Sequence, residues 1–197
     1  MTELEQELYH YGVVGMKWGK RKASYYDEKS KAHASAISTS KTRLGKWYHN
    51  KRAYANEVRA LDKKAGERLG KGSMLKDIDS AYGHGAAARQ QTAASNYYAR
   101  KATYTKTRLG TTSAEAAAYN NKTAAAANNR LHNSKNIKQY ANNYVDSVAN
   151  RSVKTWAGRT TTTGKKMVDD ILTGGVITTV SDISYYRENK PKKDSKK

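Results

Sequence analysis

The chain has 197 residues and carries 37 lysines and arginines against 17 acidic residues, which gives a formal net charge of +20. It lacks phenylalanine, and only 24 residues are leucine, isoleucine or valine. This composition excludes a large apolar core and favours polyanionic partners. The absence of cysteine excludes disulfides, thiolate zinc sites and cysteine nucleophiles. Alanine favours helix but buries little area, so we expect a mostly α fold, an irregular array of weakly packed helices.

Residues 1–22 are predicted to form a short helix followed by a flexible docking segment. Thr2 and Glu5 have the spacing of a capping box, and Leu4 and Leu8 lie on one face of a helix over residues 2–9. This start is acidic and polar, unlike a signal peptide. The most apolar stretch of the chain, residues 171–180, is too short and too polar to cross a bilayer, so we expect no membrane span.

The docking segment, residues 10–21, combines three glycines with large side chains. This mixture fits neither a helix nor an alternating strand, and it is typical of a loop that displays aromatic anchors on a compact backbone. The predicted docking residues are His10, Tyr11, Gly12, Gly15, Met16, Lys17, Trp18 and Gly19.

These residues, together with Val13, resemble the N-terminal H-[HY]-G-[VI]-x-G-[MQ]-[KR]-W-G element of small tailed-phage structural or head-associated proteins. Val14 departs from the usual pattern, in which lysine often takes that position, and Lys20 departs because an aliphatic residue is common there. The resemblance implies that the chain is a component of a phage particle. It does not specify a molecular activity.

Residues 23–72 are predicted as a first helical unit. A helix is expected over residues 23–63, with Trp47, Tyr54, Val58 and Leu61 along one apolar stripe. Frequent glycines predict a hinge over residues 65–85, interrupted by a short helical turn at residues 74–82.

Residues 73–153 are predicted as a second helical unit. It has a helix over residues 86–131 and a further helix over 131–153, which places Ile137, Tyr140, Tyr144 and Val148 on one face. Residues 154–186 are expected to hold a Thr/Gly-rich loop, residues 155–166, and two short elements. The second element, residues 176–186, fits strand or helix, and the apolar spacing favours helix. Residues 187–197 are predicted to be a disordered basic tail.

An internal repeat connects the two units. The segment Lys41-Thr42-Arg43-Leu44-Gly45 recurs as Lys106-Thr107-Arg108-Leu109-Gly110, and the same register aligns Ala53-Tyr54 with Ala118-Tyr119. We refer to these two segments as the boxes. Chance similarity in a low-complexity chain is the alternative, but five identical residues with continued register favour a duplicated helical hairpin.

Each box has two interpretations. If the box opens a helix, its threonine, backbone N–H groups and arginine converge on a phosphate. If it ends a helix, its glycine is the stop, and we favour this second interpretation. Both leave cations exposed to nucleic acid. The candidate nucleic-acid-binding residues are Lys41, Arg43, Lys51, Arg52, Arg100, Lys101, Lys106, Arg108, Lys165 and Lys166.

Many of the fifteen tyrosines are interleaved with cations. They suit either stacking on exposed bases or packing in a chain without phenylalanine, and packing is favoured for most of them.

No catalytic or metal-binding constellation is predicted. Residues 15–21 and 158–166 imitate nucleotide-binding loops, but both lack the required spacing and the hydroxyl residue after lysine. The five histidines do not share metal-ligand spacing, and Asp169 and Asp170 are expected to be solvated. We therefore expect no enzyme, no cofactor and no metal.

The sequence favours a non-enzymatic bacteriophage virion protein that is internal or associated with the head or connector. It would contact packaged DNA, a neighbouring capsid, portal or connector protein, or both, and could form a homo-oligomer. We expect it in the virion, and in the host cytoplasm during assembly. One alternative is a nucleic-acid-binding accessory protein that is not packaged. Another is a precursor cut by a phage maturation protease at the docking segment.

We predict that Trp18→Ala abolishes incorporation into particles and leaves the melting temperature of the isolated protein unchanged. Interfaces concentrate energy in tryptophan anchors, whose truncation costs ~2 kcal/mol or more. The amount of protein in purified particles and a thermal melt of the same variant provide the measurement. If Trp18 instead seals the thin core, the variant would melt several degrees lower, which would contradict the docking role.

Overall fold

A computed structural model describes residues 22–69 and 83–189. Within these ranges the chain forms seven α-helices and one two-stranded hairpin, which confirms the predicted mostly α fold. The helices are α1 (Ala23–Thr39), α2 (Arg43–Leu69), α3 (His84–Tyr104), α4 (Arg108–His132), α5 (Ile137–Val145), α6 (Thr163–Thr173) and α7 (Val176–Glu188). A π-helical turn (Asp146–Asn150) follows α5 and leads into β1 (Ser152–Lys154) and β2 (Thr160–Thr162). The predicted docking segment and the end of the basic tail lie outside the described residues.

The first four helices form an open row of two antiparallel hairpins. Helix α1 packs on α2, α2 on α3, and α3 on α4. The hydroxyl of Ser30 donates to the carbonyl of Ala53 at 3.0 Å, and that of Ser95 donates to the carbonyl of Ala118 at 2.8 Å. Ser95 and Ala118 lie 65 positions after Ser30 and Ala53, and the second box follows the first by the same 65 positions. The predicted duplicated hairpin is therefore confirmed down to a matching hydrogen bond.

Alanine fills the centre of the row. Ala53, Ala60 and Ala93 are completely buried, and most of the other buried apolar residues are alanines as well. The predicted stripe on α2 is only partly covered, because Trp47 keeps 46% of its surface exposed. Small side chains let the helices approach closely but contribute little transfer energy each, so hydrogen bonds between helices carry much of the specificity.

Both boxes open helices. Thr42 Oγ1 accepts the Gly45 N–H at 3.0 Å, and Thr107 Oγ1 accepts the Gly110 N–H at 3.2 Å. Each threonine therefore satisfies one of the free donors in the first turn of the helix that follows. The favoured interpretation of the boxes as helix ends is wrong, because a threonine three residues before a glycine is an effective cap and the glycine belongs to the first turn.

Because both boxes open helices, the long predicted helices have other bounds in the structure. The helices expected over residues 23–63 and 86–131 are each divided at a box. The hinge expected from residue 65 does not begin there, since α2 continues through Leu69 with Gly66 inside it. A glycine within a helix costs only about 1 kcal/mol, which a helix of this length tolerates. The turn predicted at residues 74–82 lies outside the described residues.

The helix predicted over residues 131–153 ends at Val145, and Val153 lies in β1. The predicted loop at residues 155–166 contains β2 and the start of α6. β1 and β2 are antiparallel, with Ser152 opposite Thr162. Asn120 on α4 holds the β-hairpin against this helix, because its amide donates to the Lys154 carbonyl at 2.8 Å and its side-chain carbonyl accepts the Lys154 N–H at 2.6 Å. Since Asn120 is distant from the hairpin along the chain, no local sequence pattern predicts these two bonds.

Helices α6 and α7 meet at Gly174 and Gly175, which both have positive φ angles, 62° and 81°. Asp169, expected to be solvated, is buried and accepts the Thr178 N–H at 2.6 Å. Hydrogen bonds from Thr173 and Thr178 hold the pKa of this carboxyl below its usual value. The carboxylate thereby caps the start of α7. The helix favoured over residues 176–186 is present and continues to Glu188, inside the predicted tail.

We predict opposite effects for alanine at two helical glycines. A Cβ at Gly110 would lie 2.5 Å from Thr105 Cγ2 and 2.8 Å from the capping oxygen of Thr107, so Gly110→Ala should destabilise the fold by about 1 kcal/mol. A Cβ at Gly66 would meet no atom within 4 Å, so Gly66→Ala should stabilise the fold by about 1 kcal/mol. Urea denaturation of both variants measures the difference. Equal stabilisation by both would contradict the box geometry.

Candidate nucleic-acid interface

The two boxes lie side by side at one end of the helical row. Helices α2 and α3 are antiparallel: Asn50, near the start of α2, donates to the hydroxyl of Tyr104, at the end of α3, at 3.1 Å. Further along, Asp62 pairs with Arg89 at 2.8 Å, near the start of α3. The start of α2 therefore lies beside the end of α3, where the second box follows. We call residues 40–46 and 105–111 the box end.

The box end concentrates positive potential. The N-termini of α2 and α4 lie there beside the C-termini of α1 and α3, so the helix dipoles largely offset each other and the positive charge comes from the side chains. Lys41, Arg43 and Lys106 are exposed there, and none of them forms an ion pair with another described residue. This arrangement can attract phosphate groups without reading base sequence.

The second box differs from the first in one respect. The guanidinium of Arg108 lies 4.6 Å from the ring centre of Tyr186 and donates to the carbonyl of Asn189, at the end of α7. Its Nη1 is buried and has no hydrogen-bond partner among the described residues. Arg108, predicted to bind nucleic acid, thus fastens α7 to the box end, whereas Arg43 at the equivalent position is exposed.

Three other candidate cations lie in the half of the row nearest the box end, each against a tyrosine. Lys51 lies 5.2 Å from the ring centre of Tyr97, and Arg52 and Lys101 contact Tyr48 and Tyr98 in the same way. Cations over aromatic faces are held in place but keep their charge toward solvent. The tyrosines therefore pack with cations at half-exposed positions instead of forming a buried core.

Arg100 has an internal role. Its Nε donates to Asn50 Oδ1 at 2.9 Å, and its Nη2 lies 3.3 Å from Glu57. Asn50 is fully buried, so this arginine satisfies an acceptor in the centre of the row. Arg100 is consequently unsuited to the phosphate contact that was predicted for it.

Lys165 and Lys166 lie on α6, away from the box end. The first turn of α6 approaches the π-helical turn: a Cβ at Gly164 would meet the carbonyl of Ala149. Lys166 pairs with Asp170 at 2.7 Å, while Lys165 is exposed. The structure thus separates these two lysines from the eight other candidates, which lie near one another.

A histidine pair between α1 and α2 was not predicted. The Nδ1 atoms of His33 and His49 lie 3.1 Å apart, so one ring donates and the other accepts. Burial lowers the pKa of His33, and His49, Arg52 and Lys29 lower it further. Because the hairpin of α1 and α2 turns at the first box, residues equally distant from that turn face each other, and their numbers sum to about 82. This register, applied to the sequence, would have placed His33 beside His49. Within the described ranges, histidines and acids form no cluster of three or more suited to a metal ion.

The docking residues 10–19 lie outside the described residues, but a comparison with known families covers them. Residues 1–25 match a family model described as "Family of unknown function (DUF7211)". No curated protein matches the chain, and no solved structure matches it. Among the described helices, none has the length and apolar character needed to cross a membrane.

We predict that Arg100→Met destabilises the fold and that Lys106→Met does not, because Arg100 has internal partners and Lys106 is exposed. The first change leaves the buried Asn50 oxygen without its donor and Glu57 without its partner, which should cost about 2 kcal/mol of unfolding free energy. The second removes an exposed charge and should change stability by less than about 0.5 kcal/mol. Chemical denaturation measures both, and a stable Arg100→Met variant would contradict the internal role.

Proposed function

We propose that this protein is a non-enzymatic structural component of a tailed-phage particle, internal or associated with the head or connector. In this proposal its box end contacts packaged DNA, and its docking segment binds a neighbouring capsid, portal or connector protein. The observation that carries the DNA contact is the antiparallel packing of α2 and α3, which places both boxes and two helix N-termini side by side.

The chemistry of the box end supports contact with DNA phosphates. Its exposed cations are not neutralised by described acidic residues, and the whole chain carries a charge of +20. Binding of this kind is driven by release of counterions from DNA and does not depend on base sequence. Such a protein screens phosphate charge wherever DNA is present, which suits a component inside a particle.

Two features support contact with a structural protein. The docking segment resembles the N-terminal element of small tailed-phage structural or head-associated proteins. In addition, α6 and α7 carry many exposed large apolar side chains, a pattern that marks interaction surfaces. They are Met167, Val168, Ile171, Leu172, Val176, Ile177, Val180 and Ile183.

Salt-dependent DNA binding tests the first part of the proposal. The logarithm of the affinity for duplex DNA should fall linearly with the logarithm of salt concentration, with a slope of about −0.9 for each phosphate neutralised. The triple variant Lys41→Met/Arg43→Met/Lys106→Met should reduce the steepness of this slope by roughly 2 to 3. Fluorescence anisotropy with the full chain over a range of salt concentrations provides the measurement.

A matched control removes the same charge elsewhere. Lys31, Arg59 and Lys138 are exposed, lie outside the box end and have no ion-pair partner among the described residues. Their triple methionine variant should reduce the slope less than the box variant does. Equal reductions by the two variants would show that DNA responds to net charge alone and would overturn the box end as the interface.

Mass spectrometry of purified particles tests the second part. We expect the chain to be present at a constant copy number per particle. Its absence from particles would overturn the assignment to the virion and would favour an accessory protein of infection. Detection only of a chain shortened within residues 10–21 would favour the processed precursor.

A further inference from the structure

A polar groove lies on the other half of α4, away from the box end. It has a volume of about 410 Å³ and lies between the second half of α4, the π-helical turn and the start of β1. Its polar lining consists of Thr123, Arg130, Asp146, Asn150, Arg151 and Ser152. The groove is open to solvent, and its volume is large enough for a small organic ligand to lie in it.

Local structure fixes the walls of the groove. Thr123 and Arg130 are seven residues apart on α4, which places them on one face, two turns from each other. The opposite wall follows the π-helical turn, a rare widening of the helix that is frequent at functional sites. The carbonyl of Arg151 accepts bonds from both the N–H and the hydroxyl of Thr163, each at 2.9 Å. The backbone that presents Arg151 is therefore held in place.

The two arginines of the groove are not neutralised. Arg130 is exposed, and its guanidinium has no partner among the described residues. Arg151 is half-buried, and its Nε is a buried donor that also lacks a described partner. Asp146 forms no ion pair with either of them; its Oδ1 accepts the amide of Asn150 at 2.9 Å. Two unpaired guanidinium groups beside one groove favour an anionic ligand.

The remaining polar groups suit an organic portion of the ligand. Ser152 Oγ accepts the hydroxyl of Tyr119 at 2.9 Å, so its own proton is available to donate. Thr123 donates its proton to the Asn120 carbonyl and can only accept from a ligand. The second carboxylate oxygen of Asp146 has no partner among the described residues and can accept from a hydroxyl or amino group.

We propose that this groove binds the phosphoryl group of a molecule about the size of a mononucleotide. Arg130 and Arg151 hold the phosphoryl oxygens, and Asp146 with Thr123 accepts hydrogen bonds from the organic portion. The site is separate from the box end, because Arg130 follows Arg108 by 22 residues of α4, a distance of about 33 Å along the helix. It therefore does not depend on DNA binding at the boxes.

Calorimetric titration of the full chain with deoxyadenosine monophosphate tests the proposal, with sodium chloride holding the ionic strength constant. Arg130→Met should weaken binding about tenfold, because a charge-assisted contact is lost from an exposed residue that the fold does not need. Arg59→Met removes the same charge from α2 and should leave the affinity within about twofold. Thermal melts check that both variants are folded; Arg151→Met is a second variant, used only if it melts like the parent chain.

Two further probes separate the parts of the ligand. Deoxyadenosine should not bind detectably, and inorganic phosphate should bind more weakly than the nucleotide while showing the same dependence on Arg130. Equal binding of phosphate and nucleotide would keep the phosphoryl site but overturn the organic portion. Equal binding of deoxyadenosine and nucleotide, equal loss in the Arg59 and Arg130 variants, or no binding of the nucleotide would overturn the proposal.

The source of the phosphoryl group is distinguished by competition. Two short DNA strands of the same sequence, one with a 5′-phosphate and one with a 5′-hydroxyl, are tested as competitors of the nucleotide. If only the 5′-phosphorylated strand displaces the nucleotide, a strand terminus is a source of the phosphoryl group. Failure of both strands to compete identifies the free nucleotide as the source. In either case the box-end triple variant should bind the nucleotide as the parent chain does.

Discussion

Close packing of helices through alanine is the constraint on which the structure depends. With no phenylalanine and few branched apolar residues, the chain cannot hold its helices together by area buried per side chain. Fully buried alanines such as Ala53 and Ala93 instead allow the backbones to approach, so that a short serine side chain reaches the carbonyl of the neighbouring helix. The hairpin is thus specified by polar contacts at close range, and the same solution occurs in both copies.

Several of the few acidic residues stabilise this packing through ion pairs between helices or loops. Asp62 and Glu57 on α2 pair with arginines of α3, Asp27 pairs with Lys64 within the first hairpin, and the buried Asp182 accepts from Arg159 at 2.9 Å. Because these acids are engaged between elements, many exposed cations are left without acidic partners. The excess charge is consequently displayed on the surface, where it destabilises the compact state through self-repulsion and attracts polyanions.

The two copies of the hairpin have diverged in what surrounds them. The first box keeps its arginine exposed, while the arginine of the second box lies against Tyr186 and ties α7 to the start of α4. The β-hairpin, clamped by Asn120, then runs along α4 and forms one wall of the polar groove near Arg151. A duplicated framework therefore holds basic side chains in two different settings, one at the box end and one on the far half of α4.

Much of the helical framework was predictable from the sequence because its signals are local. Alanine content and helical spacing predict the helices, and the repeated box predicts the duplication, since the same five residues impose the same capped turn twice. The sequence does not show whether the box begins or ends a helix, because an arginine followed by leucine and glycine also fits a helix end. The hydrogen bond from the Gly45 N–H to Thr42 places the box at a helix start.

The basic charge, the helical content and the duplication follow from composition and local patterns, as does the shortage of apolar side chains. Packing between the helices determines which cations are free. Arg100 and Arg108 look like Lys106 in sequence, yet a buried asparagine engages the first and a tyrosine from α7 the second. Packing also determines that His33 meets His49 and that Arg130 and Arg151 line one groove. These contacts join residues distant along the chain, and their energies depend on burial and partner geometry that appear only when the helices pack.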